Sequence, residues 1–250
     1  GGGDTVDLDV TENVMAVADL SATDADVLDT LTFAITGGDD QAKFSIVAAT
    51  GVLTFDPAPD YDAPTDAGSD NTYEVEVTVT DDGTGPRTDS QTFTVTVQDV
   101  NEGPVIDSYG GASTVALPVT ENLTAVATIT ATDQDAGTNL TYSLSGTDQA
   151  KFDLNASTGV LTFISAPDFE TPTDVGAGNT YLVTVTVTDD GNLTDSQDLT
   201  VTVQNQNEAP VITSLDGNAT STLSVNENLT AVTMVTATDV DVPTVLTYFI

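Results

Sequence analysis

From Tyr73 to Thr80 the chain alternates: Tyr73, Val75, Val77 and Val79 are apolar, while Glu74, Glu76, Thr78 and Thr80 between them are polar. A period of two places every second side chain on one face, so the pattern predicts a strand with one side buried. Tyr181, Val183, Val185 and Val187 repeat it, and Phe93, Val95 and Val97 are echoed by Leu199, Val201 and Val203. Leu31–Ile35, Leu140–Leu144 and Leu246–Ile250 predict a further strand each. Gly51 and Gly159 each follow Thr and precede Val-Leu-Thr-Phe, which reads as a tight turn entering a strand. No stretch sustains helical spacing, and Gly, Pro, Asp and Asn punctuate the chain roughly every 8 to 12 residues. About seven strands per unit, joined as hairpins and Greek keys, predict an all-β fold of tandem immunoglobulin-like Greek-key β-sandwiches.

The pattern is itself repeated. Thr11-Glu12-Asn13 returns as Thr120-Glu121-Asn122 and Asn226-Glu227-Asn228, at intervals of 109 and then 106 residues. Ala22-Thr23-Asp24-Ala25-Asp26 returns at the same intervals as Ala131-Thr132-Asp133-Gln134-Asp135 and Ala237-Thr238-Asp239-Val240-Asp241, and a repeat of this length is a whole domain and not a solenoid turn. The stretches Gln98–Ile106 and Gln204–Ile212 close one repeat and open the next. Pro104 and Pro210 lack the N–H that a ladder needs and bias the residue before them to extended backbone. Residues 1–103 and 104–209 are therefore read as two complete domains, and 210–250 as the start of a third, too short to close a sandwich. On this reading the chain is a fragment of something longer.

Charge changes the picture. Forty acidic residues face three basic ones, for a net charge of -37. Nucleic acid is excluded as a partner, because phosphate contacts need cationic neutralisation, and an anionic membrane surface is disfavoured for the same reason. A domain so charged repels itself unless high ionic strength or bound cations relieve it. A salt-adapted surface would scatter its carboxylates, whereas a metal protein gathers them at fixed spacings, as here. With neither Cys nor His in the chain, disulfides and zinc-thiolate sites are ruled out.

In order, the second repeat carries Glu121, then Asp133 and Asp135, Phe152 with Thr158-Gly159-Val160-Leu161, Asp168-Phe169-Glu170, and Tyr181 through Asp189 and Gly191. Each complete repeat thereby resembles a cadherin domain, in the bacterial cadherin-like form of large surface proteins. The resemblance covers both full repeats and the start of the third. It implies that Ca2+ is held where one domain's first-strand Glu, its Asp-x-Glu and its linker meet the next domain's Asp-x-Asp and strand-end Asp. Carried over, the first junction uses Glu12, Asp60, Asp62, Asn101, Glu102, Asp133, Asp135 and Asp189. Asp99 supports the linker, and the backbone of Val100, Gly103 and Asn139 supplies further oxygens. The second junction uses Glu121, Asp168, Glu170, Asn207, Glu208, Asp239 and Asp241. Upstream, Asp24, Asp26 and Asp81 form half of a site. Hard oxygen ligands in this number suit calcium.

The chain departs from the family pattern in places. Glu102 and Glu208 stand where the linker Asp is usual, Asp62 replaces a Glu, and Asn205 occupies the place of Asp99. The absence of Trp removes the anchor of strand-swapping animal cadherins. Catalysis has little support, since Asp168 and Glu170 are two apart on one segment with no His, Cys or Lys constellation nearby. The expectation is an extracellular, cell-surface segment whose partners are other copies of the array or a surface or matrix molecule, acting in calcium-dependent adhesion. The alternative is a spacer or fibre unit without its own recognition face. Six Asn-x-Ser/Thr sequons, at Asn122, Asn139, Asn155, Asn192, Asn218 and Asn228, permit glycosylation.

Overall fold

A computed structural model describes residues 5–26, 28–241 and 244–249. The chain divides into two compact units, Gly1–Glu102 with Gln134–Gly137, and Gly103–Asp133 with Thr138–Ile250.

In the first unit the strands are β1 (Thr5–Thr11), β2 (Ala16–Asp19), β3 (Thr32–Gly37), β4 (Phe44–Ile46), β5 (Val52–Phe55), β6 (Thr72–Thr80) and β7 (Thr88–Gln98). They form two sheets, ordered β1-β7-β6-β3 and β2-β5-β4. β1 runs parallel to β7, with Val10 opposite Val97, and β6 pairs antiparallel with β7, with Tyr73 opposite Val95. The period-two pattern is observed where it was expected, because Tyr73, Val75, Val77, Phe93, Val95 and Val97 all enter the core. Phe44 stacks on Phe55 at 4.6 Å between ring centroids, and Tyr73 meets Phe55 edge-on at 5.1 Å.

The second unit holds β8 (Val105–Ile106), β9 (Thr114–Thr120), β10 (Ala125–Thr128), β11 (Ala131–Thr132), β12 (Thr141–Ser145), β13 (Phe152–Leu154), β14 (Val160–Phe163), β15 (Thr180–Thr188), β16 (Thr194–Gln204), β17 (Val211–Ile212) and β18 (Ala237–Thr238). Its sandwich repeats the first: β12-β15-β16-β9 against β10-β14-β13. Phe152, Phe163 and Tyr181 rebuild the aromatic trio. β8 adds a short pairing with β11 and delivers Ile106 into the core. Among the described residues there is no α-helix, only 3-10 turns.

Gly159 shows why the Thr-Gly turn needs glycine. Its φ is +66°, and a Cβ there would lie 2.0 Å from the Ile129 carbonyl oxygen. That closeness lets the Ile129 N–H reach the Gly159 carbonyl at 2.9 Å, joining the turn to the strand opposite.

One expected strand differs. Residues 246–249 are not in a strand, and Ile250 lies outside the described residues. Its counterparts β3 and β12 are held by β6 and β15, whereas among the described residues no strand pairs with 246–249. A strand's N–H and C=O groups need a neighbour to define it. Among the described residues, β17 and β18 pair only with each other.

Buried aspartates secure the long loop before β6. Asp66 accepts the N–H groups of Asp70 at 3.0 Å and Asn71 at 3.1 Å, and Asp174 accepts those of Gly178 and Asn179. Burial pushes the Asp66 carboxyl up, but the N–H donors of Asp70, Asn71, Gly68 and Asp66 itself outweigh it and hold the group below its ordinary value. Asp174 is lowered in the same way. A carboxylate depressed in the fold stabilises it above the unfolded-state value and loses that contribution as pH falls through the folded one. Asp66→Asn with Asp174→Asn should therefore cost about 1–3 kcal/mol at neutral pH. The deficit against the parent chain should shrink below about pH 4. Urea unfolding at pH 7 and pH 3 measures both, and a pH-independent gap would refute the assignment.

Candidate metal centres

In the first unit, Glu12 ends the run of β1 and is 2% exposed. Its Oε2 accepts the Tyr61 N–H and its Oε1 the Val100 N–H, each at 2.9 Å. Glu12 thereby pulls the Asp60–Asp62 loop and the linker after β7 to the same end of the sandwich. Oxygens of Glu12, Asp62, Asp99 and Glu102 gather within 4.8 Å of one another. Asp60 turns its Oδ1 to the Asp62 and Ala63 N–H groups and accepts the Gln134 amide at 3.0 Å. The Glu102 N–H donates to Asp135 Oδ2 at 2.9 Å. Asn101 folds its amide onto the Glu102 carbonyl, also at 2.9 Å.

The second unit builds a matching group. Glu121 is 1% exposed and accepts the Phe169 and Gln206 N–H groups at 2.8 Å. Oxygens of Glu121, Asp168 and Glu170 lie within 4.8 Å of one another, and so do those of Glu170, Glu208 and Asp241. The Glu208 N–H donates to Asp241 Oδ2 at 2.6 Å, Asp239 Oδ1 receives the Asp241 N–H, and Asn207 donates to the Glu208 carbonyl. Of the other expected ligands, Gly103, Asp133, Asn139 and Asp189 belong to the second unit. Asn139 there donates its N–H and its amide to Asp190, and Asp189 accepts the Leu193 N–H at 2.7 Å.

Three features escaped the sequence reading. Asn13 and Asn122 direct their amides onto Glu102 Oε1 (3.2 Å) and Glu208 Oε1 (2.9 Å). Their φ values of 59° and 64° suit Asn, so the residue after each first-strand Glu was the available signal. Asn205, which stands in the place of Asp99, donates to Glu170 Oε1 at 2.7 Å. Upstream, Asp29 joins Asp24 and Asp26 in a third acidic group. Asp81, placed in that half-site from the sequence, accepts the Gly83 and Arg87 N–H groups.

The clusters are electrostatically strained. Burial comes first among the causes that raise the Asp62, Asp99 and Glu102 carboxyls from their ordinary values, and the charges of Glu12 and Asp135 add to it in each. Glu170 and Glu208 are raised by burial and by Glu121 and Asp241. Asp62 Oδ2, Glu102 Oε2, Glu208 Oε2 and Asp241 Oδ1 are buried and receive no hydrogen bond. A carboxylate oxygen cut off from both water and donors is costly, and a hard cation satisfies it. The donors are all oxygen, mostly carboxylate, which fits calcium and not the softer transition metals.

Asp62→Asn or Glu102→Gln removes one repelling charge while keeping an acceptor oxygen. In chelator, each should raise the melting temperature by several degrees, about 4–8 °C for every kcal/mol of relief. The exposed Asp153→Asn should leave it unchanged. Calorimetry decides, and a fall in chelator would show that the cluster is not strained.

The Cadherin domain family profile matches residues 7–98 and 116–204. A human protocadherin Fat 4 is 34% identical over 142 residues, 56% of this chain and 3% of that protein. The protocadherin-like wing polarity protein stan of Drosophila melanogaster is 28% identical over 221 residues, 85% of this chain and 6% of that protein. The chain thus spans only a few per cent of these curated relatives. Among solved structures, mouse cadherin-23 EC22-24 superposes with a TM-score of 0.54 at 22% identity, covering 95% of this chain and 75% of that one.

Proposed function

The chain belongs to the cadherin family, and from that premise we propose that it is a calcium-binding tandem segment, stiffened by Ca2+ at its linkers, within a protein of calcium-dependent adhesion. Cadherin domains are extracellular adhesion modules and not enzymes, and this chain is an extracellular segment of that kind. No helix among its described residues is long and apolar enough to cross a membrane. The repeats are proposed to run 1–103, 104–209 and 210–250.

The observation that carries the reading is the set of buried, donorless carboxylate oxygens, which fall on Asp62, Glu102, Glu208 and Asp241. Glu12, Asp60, Asp62, Asp99, Asn101, Glu102 and Asp135 would hold calcium at one linker, with Asp133, Asp189, and backbone of Val100, Gly103 and Asn139 as further ligands. Glu121, Asp168, Glu170, Asn207, Glu208, Asp239 and Asp241 would hold it at the other. The metal supplies positive charge and oxygen coordination. The chain's own residues orient the ligands: Glu12 and Glu121 anchor the loops, while Asn13 and Asn122 fix the linker glutamates. A linker pinned in this way to the residues around it loses its freedom to bend.

The partner is proposed to be another copy of the array or a surface or matrix molecule. A spacer without its own recognition face is the second reading. It is favoured by the placement of Phe44, Phe55, Tyr73, Phe152, Phe163 and Tyr181 inside the cores, where they offer nothing to a partner.

Small-angle scattering should show a longer maximum dimension in calcium than in chelator, and no change would sink the stiffening. Calorimetric titration should give dissociation constants of about 0.1–1 mM, the range of extracellular calcium modules. Asn13→Gly keeps the backbone conformation and removes the hold on Glu102. It should weaken binding about 10- to 100-fold, as loss of an outer partner does. Glu102→Gln, stabilising in chelator, should become destabilising in saturating calcium, and an unchanged sign would remove Glu102 from the ligands.

A further inference from the structure

The two complete repeats share a fold but not the charge on the outer face of their four-stranded sheets. Asp40 and Asp148 hold the same place in each, accepting the N–H of Glu74 at 3.0 Å and of Leu182 at 2.8 Å. These bonds fix the correspondence of β6 with β15. The parallel pairs Val10–Val97 and Val119–Val203 fix that of β1 with β9. On this correspondence Asp7, Asp9, Asp39, Glu74 and Glu76 of the first unit become Ala116, Pro118, Thr147, Leu182 and Thr184 of the second. One change runs the other way, from Thr92 to Asp198.

The altered positions are neighbours. Leu182 stands opposite Thr200, and Thr200 opposite Ala116; Thr180, Thr202 and Pro118 form the adjacent row. They alternate with Tyr181, Val183, Val201 and Leu117, which enter the core, so both rows point outward. In the first unit the equivalent row sets Glu74 and Asp7 on either side of Thr94. Leu182 is 49% exposed and borders an open groove of about 350 Å³ that Gly146, Thr147 and Thr200 also line. Among the described outward positions of β12, β15, β16 and β9 a single carboxylate remains, Asp198, and it accepts the Thr184 hydroxyl at 2.6 Å.

Forty acidic residues in 250 make one copy of this chain repel another over most of its surface. A cationic partner is drawn to carboxylates and gains nothing from Leu, Ala and Pro in their place. A like-charged partner gains most, because here it approaches without setting carboxylate against carboxylate. We propose that the outward face of the β12-β15-β16-β9 sheet is a self-recognition surface, which packs against the same face of a second copy. The proposal rests on the reading of the partner as another copy of the array, and it assigns that partner to the second repeat and not the first. Leu182, Ala116 and Pro118 supply apolar area, and Thr180, Thr200 and Thr202 offer hydroxyl donors and acceptors. β9 is the margin of its sheet and carries Pro118, which has no N–H, so the contact is made by the face and not by an added strand. One surface used on both sides closes after two copies and gives a dimer. None of the proposed calcium ligands is part of it.

The first repeat supplies the test substitutions, since its own sandwich carries them. Leu182→Glu with Ala116→Asp restores the acidic pair that flanks Thr94. By sedimentation equilibrium the parent chain should be a monomer–dimer mixture, in saturating calcium as in chelator. The double variant should weaken the dimer at least about tenfold, because the contact doubles each added charge. Ala48→Glu with Ala49→Asp adds the same two charges at exposed positions of the first unit and should leave the dimer within about twofold. Calcium titration of the Leu182→Glu, Ala116→Asp chain should match the parent's, which separates lost recognition from a lost fold. A parent that stays monomeric at about 1 mM, equal weakening by the two double variants, or open-ended assembly in place of a dimer would each overturn the proposal and leave the calcium reading intact. Dimerisation without calcium uptake would remove the calcium reading and keep this face.

Discussion

The carboxylate of Glu12 is almost wholly withdrawn from water, and both its oxygens are taken by backbone N–H groups, of Tyr61 and of Val100. A buried charge is tolerable only when its lone pairs are satisfied in this way. The requirement ties three distant stretches together: the end of β1, the loop before β6, and the linker after β7. Asp60, Asp62, Asp99 and Glu102 take their places from it. Glu121 repeats the arrangement with Phe169 and Gln206.

What that anchoring concentrates is charge of one sign. Four oxygens from Glu12, Asp62, Asp99 and Glu102 within 4.8 Å of one another are an unfavourable arrangement in themselves, and burial makes it worse. The second linker crowds carboxylates in two overlapping trios, Glu121, Asp168 and Glu170, and Glu170, Glu208 and Asp241, and leaves the same glutamate oxygen orphaned, on Glu102 and on Glu208. The longer linker side chain, Glu where the family commonly has Asp, is restrained by Asn13 and Asn122, whose left-handed backbone aims the amide at it. The replacement of Asp99 by Asn205 in the second linker likewise converts a repulsion into a hydrogen bond, to Glu170.

The sandwiches themselves are conventional in their energetics. Each core is a period-two face closed on an aromatic trio, and the loops are fastened by aspartates that accept backbone N–H groups. The short strand β8 adds to this in the second unit, where it delivers Ile106 into the core.

The alternation at Tyr73–Thr80 and Tyr181–Thr188, the Thr-Gly turns and the repeat interval were enough to determine an all-β tandem sandwich, because strand periodicity and turn chemistry are local properties written residue by residue. The acidic motifs were equally legible as motifs, and Glu12, Asp62, Asp99 and Glu102 do come together. The sequence did not determine how those carboxylates are held, since Asn13, Asn205 and Gln134 act across separations in the chain that only folding closes. Nor did alternation suffice for residues 246–249, where the pattern of a strand is present and no ladder forms among the described residues. Side-chain period is set by the chain itself, but pairing and burial belong to the partner surface, and that is what the tertiary structure decided.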